Sequence, residues 1–421
     1  MVPLLLTVFL LAAPEEGPRL IKLNVVATDA KGEPVTDLTP AELTIKEDGH
    51  PRKVVFFRHA GPHAANAPTV LVLDRWNERL TTMATAASEI REALKQLHPD
   101  DPVYLFFFDP KGNVVPVRSL PGPEEGGQDD PSTAARRMLS GLDRAIKDSQ
   151  GFRAPDSWDP FYRANITFRD LDALGAQLAP ISGRKNLLWV THGVPNNIQL
   201  DDGTWFDMTP QLRRVAASFA RAQIAIYPVG QSSEGAGADL VGQARQGLQI
   251  LAGLTGGRWW SSDSTPVALR SAIADMRNYY TVAYYSPFTD RKPHKIRVES
   301  SRKNIRILTR DGYDPEPDAD PAALEMSAFQ AAQNTPLEAT EIGVTVVSAA
   351  AGKVVLRVEP SDVIIDDQHH AHLSILAGQA GQRIDPEVTP QGILVEQKPA
   401  ARYFVYDRTL RALGSVTVKQ P

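Results

Sequence analysis

Apolar and polar positions change their period along the chain, and the changes divide it into parts. Between residues 20 and 60 the period is two. Ile21, Leu23 and Val25 alternate with Lys22 and Asn24, the pattern of a strand with one buried face. Leu43-Thr-Ile45 and Val54 to Phe57 repeat it, separated by the turn residues of Asp29-Ala-Lys-Gly32 and Glu47-Asp-Gly49. Thr39-Pro-Ala-Glu42 reads as a short helical start, with Thr39 as N-cap and Pro40 in the first helical position. So short a β unit has a thin core and is expected to pack on its neighbour.

From residue 68 the apolar positions become continuous. Thr69 to Asp74, Val103 to Phe108, Asn186 to Thr191 and Ile224 to Tyr227 are short runs without alternation, which suits strands buried on both faces. Helical spacing separates them, around Leu80–Leu97, Ser132–Lys147, Phe168–Leu178, Gln211–Arg221, Leu240–Leu254 and Pro266–Met276. Tyr280–Tyr284, Lys295–Val298 and Arg306–Leu308 read as closing strands. Strand and helix in alternation predict an α/β fold, a doubly wound, mostly parallel sheet over residues 68–313. Ligands of such sheets sit at the carboxyl ends of strands, which draws attention to Asp74 and His192.

Asp314 to Pro321 has linker composition. Residues 322–421 open with a helical stretch and continue as alternating strands punctuated by Pro and Gly, which predicts a β-sandwich-like module. At the other end, Val2 to Ala13 is apolar and turns polar at once in Pro14-Glu-Glu-Gly17. It is shorter than the ~20 residues a spanning helix needs. It fits the apolar part of a secretory signal with Ala12 and Ala13 near a cut, although no Lys or Arg precedes it; the competing reading is a buried strand. Cleavage or retention as an anchor stays open, and no other stretch approaches a membrane span.

Composition narrows the function classes. Lys plus Arg is 45 and Asp plus Glu is 50, a net charge of −5, which lacks the basic footprint of a general nucleic-acid binder. The chain has no cysteine, so thiol nucleophiles, disulfides, zinc–thiolate sites and iron–sulfur clusters are excluded together. No Gly-x-Ser-x-Gly elbow, His-Glu-x-x-His pair or phosphate-binding Gly-rich loop occurs. His369-His-Ala-His372 follows Asp366-Asp367 and offers His370 and His372 at alternate strand positions, a metal reading set against that of a polar turn. Trp259-Trp260 reads as a strand completed against the sheet or as a binding surface. Tyr279, Tyr280, Tyr284 and Tyr285 read as sheet packing with hydroxyls at the rim.

The strand ends carry more. One run ends Asp74-Arg75-Trp76-Asn77-Glu78, another ends Thr191-His192-Gly193, and a late helix ends Thr255-Gly-Gly257. With these endings the α/β section resembles a von Willebrand factor type A domain. The closest resemblance is to the Acidobacteria-type VWFA-related proteins. Their marks are Val35-Thr-Asp-Leu-Thr39, Ile45-Lys-Glu-Asp-Gly49, Gly183-Arg-Lys-Asn-Leu187, Tyr279-Tyr280, Tyr284-Tyr-Ser-Pro287 and Thr309-Arg-Asp-Gly-Tyr313, in that order. The resemblance implies a metal-ion-dependent adhesion site, in which Asp and hydroxyl groups from three loops hold one divalent cation that accepts a partner's carboxylate.

The resemblance is imperfect at that site. Asp74 matches the first metal ligand and Thr167 the loop threonine. Trp76 and Glu78 stand in place of two serines, and His192 in place of an aspartate. An indole has only an N–H donor and cannot ligate a cation. Three readings stay open: a dead site in which Asp74 caps backbone N–H groups; an altered site of Asp74, Glu78 and His192 suited to Zn²⁺ or Mn²⁺; or a metal-free cleft of Asp74, Arg75, Trp76, Asn77, Glu78, Thr167 and His192 that touches a partner. The expectation is a secreted, periplasmic or envelope-associated protein-interaction module of adhesion type, not an enzyme, with a protein partner and a degenerate metal site. The alternatives are a metal-dependent hydrolase using Asp74, Glu78 and His192, and a purely structural envelope scaffold.

Overall fold

The computed structural model describes residues 19–60, 67–77, 80–98, 101–109, 111–121, 131–149, 160–200, 202–230, 238–261, 264–315, 320–350, 352–378 and 380–418. The apolar segment of residues 1–13 and Glu78 lie outside the described residues. In chain order the elements begin with β1 (Arg19–Thr28), β2 (Leu43–Glu47), β3 (His50–Arg52) and β4 (Val54–His59). There follow β5 (Thr69–Asp74), α1 (Leu80–Lys95), β6 (Val103–Phe108), β7 (Val114–Arg118), α2 (Pro131–Ser149), α3 (Pro160–Leu178), β8 (Lys185–Thr191), β9 (Asn197–Gln199), β10 (Trp205–Asp207), α4 (Thr209–Arg221), β11 (Ile224–Gly230), α5 (Ala238–Thr255) and α6 (Thr265–Arg277). Next come β12 (Tyr279–Ser286), β13 (His294–Ser300), β14 (Arg306–Leu308) and β15 (Gly312–Tyr313). The chain closes with α7 (Pro321–Gln333), β16 (Val344–Ala350), β17 (Lys353–Val358), β18 (Leu373–Ala377), β19 (Ala380–Ile384), β20 (Ile393–Gln397), β21 (Arg402–Asp407) and β22 (Ala412–Thr417).

The strand pairing corrects the expected architecture. Among the described residues there are six sheets, and parallel ladders occur only in one, the five-stranded sheet β11-β8-β5-β6-β7. Even there β7 runs antiparallel to β6. The remaining sheets are antiparallel, so a doubly wound, mostly parallel sheet is not the architecture of this chain. The strands β12 to β15, expected to close the α/β section, pair elsewhere. β1 runs antiparallel to β12, with Leu23 opposite Val282 and Val25 opposite Tyr280. β4 pairs with β12, and β2 with β13. The first strands and residues 279–313 therefore build one β unit, and residues 67–277 are inserted within it.

Packing explains each layer. In the β unit, Ile21, Leu23 and Val25 of β1 meet Ile45 of β2 and Ile296 and Val298 of β13 in one core. The buried tyrosines of β12 keep their hydroxyls bonded inside it. Tyr280 donates to Val35 O (2.9 Å) and accepts from Leu38 N (3.0 Å), and Tyr284 donates to the Glu47 carboxylate (3.2 Å). Only Tyr285 is exposed among the four. In the inserted unit the central strands are buried on both faces. Val72, Phe106 and Trp189 face one apolar cluster, and Leu71, Leu105 and Leu188 face another. At the end of α5, Gly257 lies against β11 so closely that a Cβ would fall 1.8 Å from Ile226 O. Thr255 Oγ1 accepts from Ile226 N at 3.0 Å, so the Thr-Gly-Gly ending is a backbone-packing device. Trp260 then extends the same sheet edge, bridging to Val229. The two C-terminal sheets, β16-β17-β20 and β19-β18-β21-β22, share a third core of Leu356, Val358, Ile375, Tyr403 and Val405.

Glu341, just before β16, joins the three parts. Its carboxylate accepts from Lys22 Nζ (2.5 Å) in β1 and from Ser182 Oγ (2.7 Å) and Gln223 Nε2 (2.9 Å) in the inserted unit. Its backbone carbonyl accepts from Arg58 of β4, whose Nε also pairs with Asp362 at 2.7 Å. Burial alone would raise the Glu341 carboxyl, but Lys22 and the neutral donors outweigh it and hold it at about 2. Removing one partner of a buried pair strands the other charge, which costs about 3–5 kcal/mol, whereas replacing both with apolar groups is often close to neutral. Glu341→Ala is expected to lower the unfolding free energy by about 3 kcal/mol, and Lys22→Met combined with Glu341→Leu to recover most of it. Urea midpoints of the two variants check this. Equal losses in both would contradict it.

Candidate functional site

β5 ends at the carboxyl edge of the five-stranded sheet with Asp74, which is fully buried. A buried carboxylate survives only if its oxygens are hydrogen-bonded. Among the described residues, three donors meet it here. Asn77 N reaches Oδ1 at 3.0 Å, Asn77 Nδ2 reaches Oδ2 at 2.7 Å, and Thr191 Oγ1 reaches Oδ2 at 2.7 Å. Thr191 in turn accepts from Gly193 N at 2.9 Å. The Asn77 amide also donates to Thr167 Oγ1 at 2.8 Å, and Thr167 donates to Arg163 O at 3.0 Å. Since a carboxylate only accepts, the amide nitrogen of Asn77 must be the atom facing Asp74.

This geometry brings Asp74, Asn77 and Thr167 together as a closed polar knot. The Asn77 amide bridges Asp74 and Thr167, the two residues that match cation ligands in the resembling family. The described residues therefore do not fit a divalent cation: neutral N–H and O–H donors already hold the Asp74 oxygens. Among the described residues no group of three or more His, Asp and Glu side chains is placed to hold a metal. Trp76 is buried, donates Nε1 to Arg163 O at 3.0 Å and carries its own carbonyl to Arg163 Nη2 at 3.1 Å. Arg75 is also buried, its N–H bonded to Phe108 O at 2.9 Å. Neither side chain is an open contact surface. His192 is half-buried directly after Thr191. Glu78 lies outside the described residues.

A carboxylate that sequence reasoning missed lies beside the knot. Asp170 of α3 is 2% exposed, and its Oδ2 has no hydrogen-bond partner. Oδ1 accepts from Arg169 Nη2 at 2.9 Å. Burial pushes its carboxyl up to about 6; Arg169 opposes this, while the charges of Asp74 and Asp109 add to it.

Two large aromatic side chains are exposed on the elements next to the knot. Tyr162, at the start of α3, is 53% exposed with its ring 6.3 Å from that of Trp76. Trp205, in the hairpin β9–β10, is 57% exposed. Their chain neighbours Phe161 and Phe206 lock the two elements together edge to face at 5.0 Å. The hairpin has a sequence signal in Asp202-Gly203, a turn pair placed between Ile198 and Phe206; Gly203 adopts φ +82° there.

The histidine cluster near the C-terminus is committed to carboxylates. His372 Nδ1 lies 2.8 Å from Asp385 Oδ1 and its Nε2 lies 3.3 Å from Asp366 Oδ2. Asp366 also caps the turn, accepting from Gln368 N and His370 N.

Asp170 yields a test with a defined sign. Its folded-state pKa of about 6 exceeds the ordinary 3.8. Its contribution to stability is therefore full below pH 4 and is lost as pH rises through 6. Asp170→Asn should stabilise the protein by about 2 kcal/mol at pH 7.5 and leave it unchanged near pH 4. Urea unfolding at the two pH values measures the difference. A gap that does not depend on pH would contradict the assignment.

No protein-family model matches the chain, and no curated protein matches it. Among solved structures it aligns with the human COPII-coat protein Sec24c at 9% identity and a TM-score of 0.30, covering 64% of this chain and 48% of that one. A variant of the PilB minor pilin from Streptococcus sanguinis aligns at 11% identity and 0.31, covering 51% and 61%. The open form of the pilus adhesin SpaC from Lactobacillus rhamnosus GG aligns at 8% and 0.33, covering 84% and 52%. The chain thus spans about half to three-fifths of the length of these structures, and likeness at this level fixes neither a fold nor a role.

Proposed function

We propose that this chain is a secreted or envelope-associated protein-interaction module related to the VWFA-related proteins. It binds a protein partner through the aromatic rim above Asp74, without a divalent cation and without catalysis. The observation that carries the reading is the exposure of Tyr162, whose ring meets that of Trp76, and of Trp205, in the hairpin that Phe206 joins to Phe161 of α3. Large aromatics held at a protein surface give contact area at low entropic cost, and they dominate binding energy where they meet a partner. The family relation is supported by the order of the sequence motifs between Val35 and Tyr313. The donors from Asn77 and Thr191 on both Asp74 oxygens favour this reading over a metal-dependent hydrolase, which would need those oxygens free.

A scaffold role makes a different prediction. The purified chain would be immobilised, proteins retained from envelope extract identified, and each titrated against Tyr162→Ala and Trp205→Ala. Each variant is expected to weaken the retained partner by about 2 kcal/mol, roughly thirtyfold, with an unchanged thermal midpoint. Equal affinity for wild type and both variants would overturn the proposed surface.

A further inference from the structure

A second concave feature lies at the opposite end of the inserted unit. A cavity of about 350 Å³ opens between α4 and α5 on one side and the β13–β15 edge on the other. It falls where two structural units meet, and its volume is in the range of about 300–1,000 Å³ usual for small-molecule sites. Ala217, Ile250 and Leu254 supply an apolar wall, and Arg213, Lys295 and Arg310 supply positive charge.

Arg310 is the distinctive group. Its Nη2 donates to Lys22 O at 3.1 Å, and its guanidinium stands 5.7 Å from the centre of the Tyr313 ring. Its Nε is shielded from water and has no acceptor. Among the described residues no carboxylate pairs with Arg310, and Arg213 likewise has no partner. A buried guanidinium N–H without an acceptor is costly. The segment that carries it is held firmly: Asp311 N donates to Gly253 O at 2.9 Å, and a Cβ on Gly256 would come within 3.0 Å of Arg310 N.

The other charged groups restrict what can enter. His294 is unavailable, because Asp48 holds its Nδ1 at 2.7 Å and Asp290 its Nε2 at 2.8 Å. Asp311 and Asp314 also line the cavity. Burial pushes the Asp311 carboxyl up, and no cation offsets this. Arg221 also lines the cavity, so Arg213, Arg221, Lys295 and Arg310 outnumber the two acids and the lining favours an anion. The complement of a guanidinium with an unmet Nε beside an apolar wall is an anionic head on an apolar body, of which a monocarboxylate is the simplest.

We propose that this cavity binds a small aliphatic monocarboxylate, its carboxylate on Arg310 with Arg213 at the entrance and its chain against Ala217, Ile250 and Leu254. The site is separate from the aromatic rim and does not depend on that reading.

Octanoate is the probe, titrated calorimetrically into the full chain, with acetate and octylamine as controls. Octanoate is expected to bind saturably at one site, and neither control to bind. Ala217→Phe, which fills the cavity, and Arg310→Gln should each weaken octanoate by at least about tenfold. If Arg310→Gln fails to fold, Arg213→Gln takes its place, with a smaller loss in the same direction. Trp205→Ala should leave octanoate binding unchanged. Absence of saturable octanoate binding, equal binding of octylamine, or undiminished binding to Ala217→Phe would each overturn the assignment.

Discussion

The Glu341 carboxylate is the point on which the arrangement of the three parts depends. It lies in the C-terminal part of the chain, yet its partners Lys22, Ser182 and Gln223 come from a strand near the start and from two loops of the inserted unit. A half-buried acid is tolerated when its lone pairs are met, and each partner here belongs to a different stretch of chain. Lys185, next to this junction, shows the complementary situation. It is buried, donates to Gly183 O and Ile181 O, and burial lowers its ammonium to about 7, against the pull of Glu341. The junction thus spends its strongest interaction on Lys22 and leaves Lys185 to backbone carbonyls.

The same rule of desolvated charge separates the two acids at the carboxyl edge of the sheet. Asp74 has three donors and is fixed as the centre of a knot. Asp170, one helix away, has an oxygen with none and titrates high. Through Asn77 the Asp74 carboxylate holds the turn that carries Trp76. That turn supports Tyr162 through the Trp76 ring. The buried acid thus reaches Tyr162 through the turn of Trp76.

Much of the local structure was legible. The continuous apolar runs at Thr69–Asp74 and Val103–Phe108 are strands because only a strand buried on both faces needs no polar alternation. What escaped was non-local. Leu23 faces Val282 across more than two hundred residues of chain, and no period or turn residue records such a partner. The closing strands were therefore assigned to the wrong sheet, and the parallel architecture was overextended. At the site, Asp74 and Thr167 stood out as residues able to ligate. Asn77 was only one of several cleft residues, because an amide that bridges two oxygens has no spacing signature. Tyr162 was hidden in a helix start, and Trp205 in a hairpin whose Asp-Gly turn is short enough to read as loop.

Donors from Asn77 and Thr191 occupy the Asp74 oxygens that a cation would need. The most direct measurement is the thermal midpoint of the EDTA-treated chain titrated with Mg²⁺, Mn²⁺ and Zn²⁺, beside the Asp74→Ala variant. A cation that binds only the folded state at a hundred times its Kd would add about 2.7 kcal/mol, a readily visible shift. No shift is expected with any of the three ions. A shift present in the wild type and abolished by Asp74→Ala would contradict this, and would make the strand end a working metal site.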